Sequence, residues 1–188
     1  MKSVVFFDFF GVICSEIAPF WFRRHFDDKT ADEIKADIVA RADLGIISEE
    51  EMQREIAART GVPADQIRPP WLELVNIHGL LVDYIRSLRG KHQVYLLSNA
   101  IGPFLHKVLE DNDLYSLFDR VFISSEMGIA KPDVSFYERV LSETGAKAGD
   151  AVMIDDNAKN IAGAVEAGID GIIFSDNEQM LAELNKYL

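Results

Sequence analysis

The sequence predicts an α/β fold: a parallel sheet flanked by helices, with a helical module inserted after the first strand. Three observations carry that expectation. Five short apolar runs, rich in β-branched and aromatic residues, each end on polar or small residues. Helical patterns separate these runs from the second onward, and the stretch from Ser15 to Gly90 holds no comparable run.

In order, the runs are Val4–Phe7, Val94–Leu97, Val121–Ile123, Ala151–Ile154 and Gly171–Phe174. Their unbroken apolar character suits strands covered on both faces. Between them, Gly102–Asp111 carries Phe104, Leu105, Val108 and Leu109 at helical spacing. Ser135–Thr144 likewise carries Phe136, Val140 and Leu141, and Asn157–Ala167 carries Ile161, Ala164 and Val165. Such alternation implies helical crossovers between parallel strands. Within Ser15 to Gly90, Thr30 with Glu33 and Ser48 with Glu51 fit the S/T-x-x-E capping box, and Gly45 and Gly61 close the helices so opened. Pro69 and Pro70 introduce an amphipathic stretch, Trp71 to Leu88, with Leu74, Ile77, Leu81 and Ile85 on one face. The expected division is a core of residues 1–14 and 91–188 and a helical module of residues 15–90.

Composition bounds the function. Of 188 residues, 48% are hydrophobic and 27% charged, enough for one sizeable core. Lys and Arg number 19 against 31 Asp and Glu, a net charge of −12 that argues against nucleic acid or an anionic membrane as partner. Cys14 alone makes no internal disulfide, and His25, His78, His92 and His106 are too widely spaced for a zinc cluster. Lys2 ahead of Val4 to Phe7 briefly resembles a signal sequence, but Asp8 interrupts the run and no small-residue cleavage site follows. A cytoplasmic protein, monomer or homodimer, is expected.

Open parallel sheets bind ligands beyond the carboxyl ends of their strands, so the residues ending each run carry the chemistry. These are Asp8, then Ser98 and Asn99, a downstream Lys131 with Pro132, and finally Asp155 and Asp156. Carboxylates, a hydroxyl and an ammonium converging on one edge suit Mg²⁺ and phosphate: hard oxygens hold the cation while Ser and Lys bind phosphate oxygens.

In these residues the chain resembles the haloacid dehalogenase-like hydrolase superfamily along its whole length. Its four motifs are Val4-Val5-Phe6-Phe7-Asp8-Phe9-Phe10-Gly11-Val12, Leu96-Leu97-Ser98-Asn99, Ala130-Lys131-Pro132-Asp133, and Met153-Ile154-Asp155-Asp156 followed by Asn160. The inserted module sits where the helical-cap branch places its cap, and Leu44-Gly45-Ile46-Ile47-Ser48 with Glu50 and Glu51 looks like that branch's cap pattern. The resemblance implies a Rossmann-like core under a cap, and a phosphatase that forms an aspartyl-phosphate on Asp8. It implies Mg²⁺ held by Asp8, the Phe10 carbonyl and Asp156, with Asp155 as a direct or outer ligand. Lys131 would neutralise Asp8 and the phosphoryl group; Ser98, with Asn99, would bind phosphoryl oxygens. Asn160 would orient Lys131 or a carboxylate. Small phosphorylated metabolites, sugar phosphates especially, would be the substrates.

One position departs from the pattern. Phosphatases of this family usually carry a second Asp two residues after the nucleophile, where it protonates the leaving oxygen; here Phe10 stands there. Two alternatives follow: a catalytically weak metal- and phosphate-binding or regulatory protein, or a 2-haloacid dehalogenase, whose halide needs no protonation. Dehalogenases of the family typically lose the metal carboxylates, whereas Asp155 and Asp156 are both present. Elsewhere, Arg23, Arg24 and His25 read as a solvated helix face. His106 reads as structural and Cys14 as a packed small residue. Phe20, Trp21, Phe22 and Phe26 read as module core.

Overall fold

The computed structural model describes residues 1–188. Five strands, β1 (Val4–Phe7), β2 (Gln93–Ser98), β3 (Arg120–Ile123), β4 (Ala151–Asp155) and β5 (Asp170–Ile173), form one parallel sheet in the order β3-β2-β1-β4-β5. They fall on the five apolar runs. The central strand β1 pairs on both sides, Val5 lying opposite Val94 and Val152. Val4 and Phe6 face a smaller core with Phe136, Tyr137 and Ile161; Val5 and Phe7 face a larger one. Burying a Phe or Val side chain contributes roughly 1.5–3 kcal/mol, and a one-residue slip would send each of these to the wrong face. Register is therefore fixed from the middle of the sheet outward.

Five helices follow β1: α1 (Ala18–His25), α2 (Asp28–Ile34), α3 (Ala40–Asp43), α4 (Glu49–Thr60) and α5 (Arg68–Glu73), with a π turn at Lys35–Val39 between α2 and α3. Then come α6 (Gly79–Leu88), α7 (Gly102–Asp111), α8 (Ser124–Met127), α9 (Val134–Thr144), α10 (Ala158–Glu166) and α11 (Asn177–Leu184). Helices α9 and α10 cover the smaller core; α6, α7, α11 and the inserted helices share the larger one. No helix is long and apolar enough to cross a membrane.

Two sequence expectations change. The stretch from Trp71 to Leu88 is not one helix: α5 ends at Glu73 and α6 begins at Gly79. In the gap the returning chain runs beside the departing one, with Ser15 N–H on the Asn76 carbonyl (3.0 Å), His78 N–H on the Ile13 carbonyl (2.9 Å) and Cys14 paired antiparallel with Ile77. These bonds take the backbone groups a continuous helix would need. Helix α6 then packs Leu81, Val82, Ile85 and Leu88 into the core it shares with β2. The inserted module therefore leaves at Ser15 and rejoins near Asn76, not at Gly90. The Thr30–Glu33 capping box also does not form, because Asp27 caps α2 and accepts from the Thr30 N–H and hydroxyl. Ser48 and Glu51 do form their box, and α4 closes on Gly61 at φ +77°.

Candidate active site

From β1 the chain moves outward through β2 and β3, then returns to β4 on the other side of β1. The carboxyl ends of β1 and β4 thus flank the crevice where strand order reverses, the place such sheets offer a ligand. Asp8 follows β1, Asp155 ends β4 with Asp156 next, and Ser98 ends β2. A cavity of about 450 Å³ opens there, lined by Asp8, Phe10, Asn99, Asp156 and Asn160 of the core and by Glu16, Lys35, Asp43 and Trp71 of the module.

The residues beneath the cavity interlock. Lys131, buried, places Nζ 2.9 Å from Asp8 Oδ1 and 2.6 Å from Asp155 Oδ2. Asp8 Oδ1 also accepts the Phe9 N–H at 2.7 Å, so both bonds fall on one oxygen and Oδ2 carries none. Both oxygens of Asp155 are taken, by Lys131, the Asn157 N–H (2.8 Å) and Asn160 Nδ2 (3.0 Å to each). Asn160 thus orients a carboxylate, one of its two expected tasks. Asn99 and Lys131 bond reciprocally: Asn99 Nδ2 donates to the Lys131 carbonyl (2.7 Å) and Lys131 N–H to Asn99 Oδ1 (2.9 Å). The amide of Asn99 is spent on holding the lysine loop. Ser98 Oγ, fully buried, has no hydrogen-bond partner, and such an orphan calls for an occupant.

Glycine brings the two loops together. Gly11 has φ +87°, and a Cβ there would stand 2.3 Å from Asp156 Oδ2, so only glycine lets the β1 loop meet that carboxylate. Asp8, Asp155 and Asp156 each offer an oxygen, all within 4.8 Å of one another. Three carboxylates here face one ammonium. Burial, over the pull of Lys131, pushes the Asp8 carboxyl well above its usual range, and burial with the Asp155 charge raises Asp156. Burial opposes the charge on Lys131, but Asp8 and Asp155 outweigh it and hold the ammonium above its usual range. A hard cation offsets such an excess of negative charge. Beside Asp8, the Asp156 carboxylate and the Phe10 carbonyl carry no hydrogen bonds, while Asp155 is saturated behind them. This donor set fits Mg²⁺.

The wall is apolar. Phe10 lies 6.3 Å from Phe104 between ring centroids, and Phe104 meets Trp71 edge-on at 5.9 Å. No motif or spacing in the sequence marks Glu16, Lys35, Asp43 or Trp71 as cavity residues. Only tertiary packing brings them to the cavity, and the π turn carrying Lys35 leaves no pattern distinct from an α-helix. His25 stacks on Trp21 and bonds its carbonyl, and His106 bonds Tyr115 and Glu126. Arg23 pairs with Asp28 and Asp32, Arg24 lies over Phe20, and Cys14 is buried.

A crevice at the strand-order reversal, floored by carboxylates and a buried lysine, marks an α/β enzyme that works at its strand ends. The family model for haloacid dehalogenase-like hydrolases matches residues 2–168, and the chain belongs to that family. The sesquiterpene phosphatase astK of Aspergillus oryzae is 25% identical over 157 residues, covering 81% of this chain and 80% of that protein. D-ribitol-5-phosphate phosphatase of Bacteroides thetaiotaomicron is 25% identical over 136 residues, 67% of this chain and 66% of its own. A haloacid dehalogenase family enzyme from the same bacterium, solved with magnesium and inorganic phosphate, superposes with a TM-score of 0.81. It is 24% identical and covers 96% of this chain and 99% of its own.

Proposed function

We propose that this protein is a Mg²⁺-dependent phosphatase of small phosphomonoesters that works through an aspartyl-phosphate on Asp8. The observation that carries the reading is the division of labour on Asp8: Lys131 and the Phe9 N–H fix Oδ1, while Oδ2 stays free at the cavity beside Asp156. A nucleophile so oriented needs no further ordering before attack. Mg²⁺, held by Asp8, the Phe10 carbonyl and Asp156 with Asp155 behind them, supplies charge neutralisation for the phosphoryl group when bound. Asp8 Oδ2 attacks phosphorus, and the bond to the leaving oxygen breaks. Ser98 Oγ donates to a phosphoryl oxygen, which supplies its missing partner, and Lys131 balances the charge passing between Asp8 and phosphate. Asn99 and Asn160 keep Lys131 and Asp155 in place.

The relatives named as phosphatases of a sesquiterpene and of D-ribitol 5-phosphate support a small phosphorylated substrate. The cavity favours one with an apolar face, since Phe10, Phe104 and Trp71 form one side of the space left for the leaving group. That shifts the expectation from sugar phosphates toward aryl and prenyl phosphates. A panel of phosphomonoesters assayed with Mg²⁺ and with a chelator tests the proposal. Release of phosphate only with Mg²⁺, lost in Asp8→Asn, is expected; release that survives both chelation and Asp8→Asn would overturn it.

A further inference from the structure

An alkyl phosphate needs a proton at its departing oxygen, and the floor of this site has none to give. Asp8 attacks, Asp155 is saturated, Asp156 belongs to the cation, and Lys131 is locked between two carboxylates. Phe10 carries no titratable group and turns its ring to Phe9 and Phe104. The donor therefore comes from the module side of the cavity, where Glu16 and Asp43 are the acids.

The loop after Asp8 folds back on itself. The Phe9 carbonyl accepts the N–H of Ile13 and of Cys14 at 2.9 Å, Gly11 N–H donates to the Cys14 carbonyl at 2.7 Å, and Phe10 pairs with Cys14. The chain beyond Cys14 is thereby returned to the side of Phe10. Ser15 is pinned there by its hydroxyl on the Leu74 carbonyl (3.0 Å) and its N–H on the Asn76 carbonyl. Glu16 comes next, lines the cavity with Asp8, Phe10 and Asp156, and its carboxylate has no hydrogen bond or ion pair within the protein. It stands two residues after Cys14, the partner of Phe10, whereas Asp43 reaches the cavity from the end of α3.

We propose that Glu16 is the acid that protonates the leaving oxygen; this rests on the phosphatase reading. As Asp8 Oδ2 bonds to phosphorus, the electron pair of the breaking ester bond stays on the alcohol oxygen, which takes the Glu16 proton and departs. Water then attacks phosphorus and passes its proton to the Glu16 carboxylate. The bond from phosphorus to Asp8 breaks, and phosphate leaves with both carboxyl groups restored. Glu16 is exposed to the cavity, and the partial loss of water around its carboxyl raises it, which favours the donor form. The charges facing it are Lys35 on the π turn and Arg23 on α1, which lower it, Asp155 and Asp156 at β4, which raise it, and Asp43 at the end of α3.

The test compares kcat/KM for an alkyl phosphate and for 4-nitrophenyl phosphate, whose leaving group needs no acid, over a range of pH with Mg²⁺. Glu16→Gln is expected to lower the alkyl rate by about 10²-fold or more, the aryl rate by less than about fivefold, and to remove the alkaline fall of the alkyl profile. Adding Phe10→Asp to Glu16→Gln restores at least about tenfold of the alkyl rate, if a carboxyl beside the leaving oxygen is what was lost. Equal losses on both substrates, or loss of the alkaline fall in Asp43→Asn instead, would overturn the proposal. Carbon-13 NMR of labelled glutamate, assigned against Glu16→Gln, reads the same group without turnover. Titration above the usual glutamate range is expected; ordinary titration overturns the role of Glu16 while leaving the phosphatase reading intact. Absence of any phosphate release from the wild type with Mg²⁺ overturns both.

Discussion

On the floor of the cavity, the charged groups of Lys131 and Asp155 are held by several partners each, and Asp8 is held through one of its two oxygens. On the module side, Glu16, Lys35 and Asp43 face one another across open space, acting by charge without a direct bond. The floor is set before substrate arrives, so its electrostatic help costs no reorganisation during the reaction. The proposed chemistry divides the same way, with the attack on phosphorus at the floor and the fate of the leaving group at the inserted helices.

Substitutions that break this contrast are expected to rank as follows. Asp8→Asn should lower phosphatase kcat by roughly 10³-fold or more, since it removes the attacking group itself. Lys131→Ala should cost about 3–5 kcal/mol in urea unfolding, because Asp8 and Asp155 are left buried without their counter-charge; activity should fall with it. Asn160→Ala removes donors to Asp155 and should cost about 2 kcal/mol. On the module side the sign reverses. Burial pushes the Asp43 carboxyl up from 3.8 to about 7, so its contribution to stability is fully present below the lower value and lost as pH rises through the upper. Thermal unfolding should therefore show Asp43→Asn gaining on the wild type from about pH 4 to pH 8, by on the order of 1 kcal/mol after solvent screening. A pH-independent difference would contradict the burial account. The smallest effect separates the two capping readings of α2: Asp27→Ala should cost about 1 kcal/mol and Thr30→Ala less.

The same contrast governs what the sequence discloses. Asp8, Ser98, Lys131 and Asp155 stand at or just beyond strand ends or in a short loop, and each strand announces itself by an apolar run. Their meeting follows from parallel topology alone. The side-chain bonds of Asn160 to Asp155 and of Asn99 to Lys131 depend on rotamers that spacing does not specify. Glu16, Lys35 and Asp43 lie on separate segments: the pairing of Ser15 with Asn76 fixes the chain next to Glu16, and the Ser124 hydroxyl on the Asp43 carbonyl fixes Asp43. The break between α5 and α6 follows from that pairing too. Asp27 is masked as a cap because Thr30 and Glu33 match the capping-box pattern one turn later. Gly45 owes its place to contact across the chain: a Cβ there would stand 2.2 Å from the Ser125 carbonyl oxygen, beside the bond from the Ser124 hydroxyl to the Asp43 carbonyl.

The central claim is that Asp8 forms a covalent bond to phosphorus with Mg²⁺ present. Its most direct test is rapid acid quench of the protein during turnover of 4-nitrophenyl phosphate, followed by peptide mass spectrometry of the phosphorylated residue. The account predicts an acyl phosphate on Asp8 that forms with Mg²⁺, is absent with a chelator, and is discharged by hydroxylamine. Turnover with the phosphoryl group on another residue, or Asp8 unmodified while phosphate is released at full rate in Asp8→Asn, would contradict it.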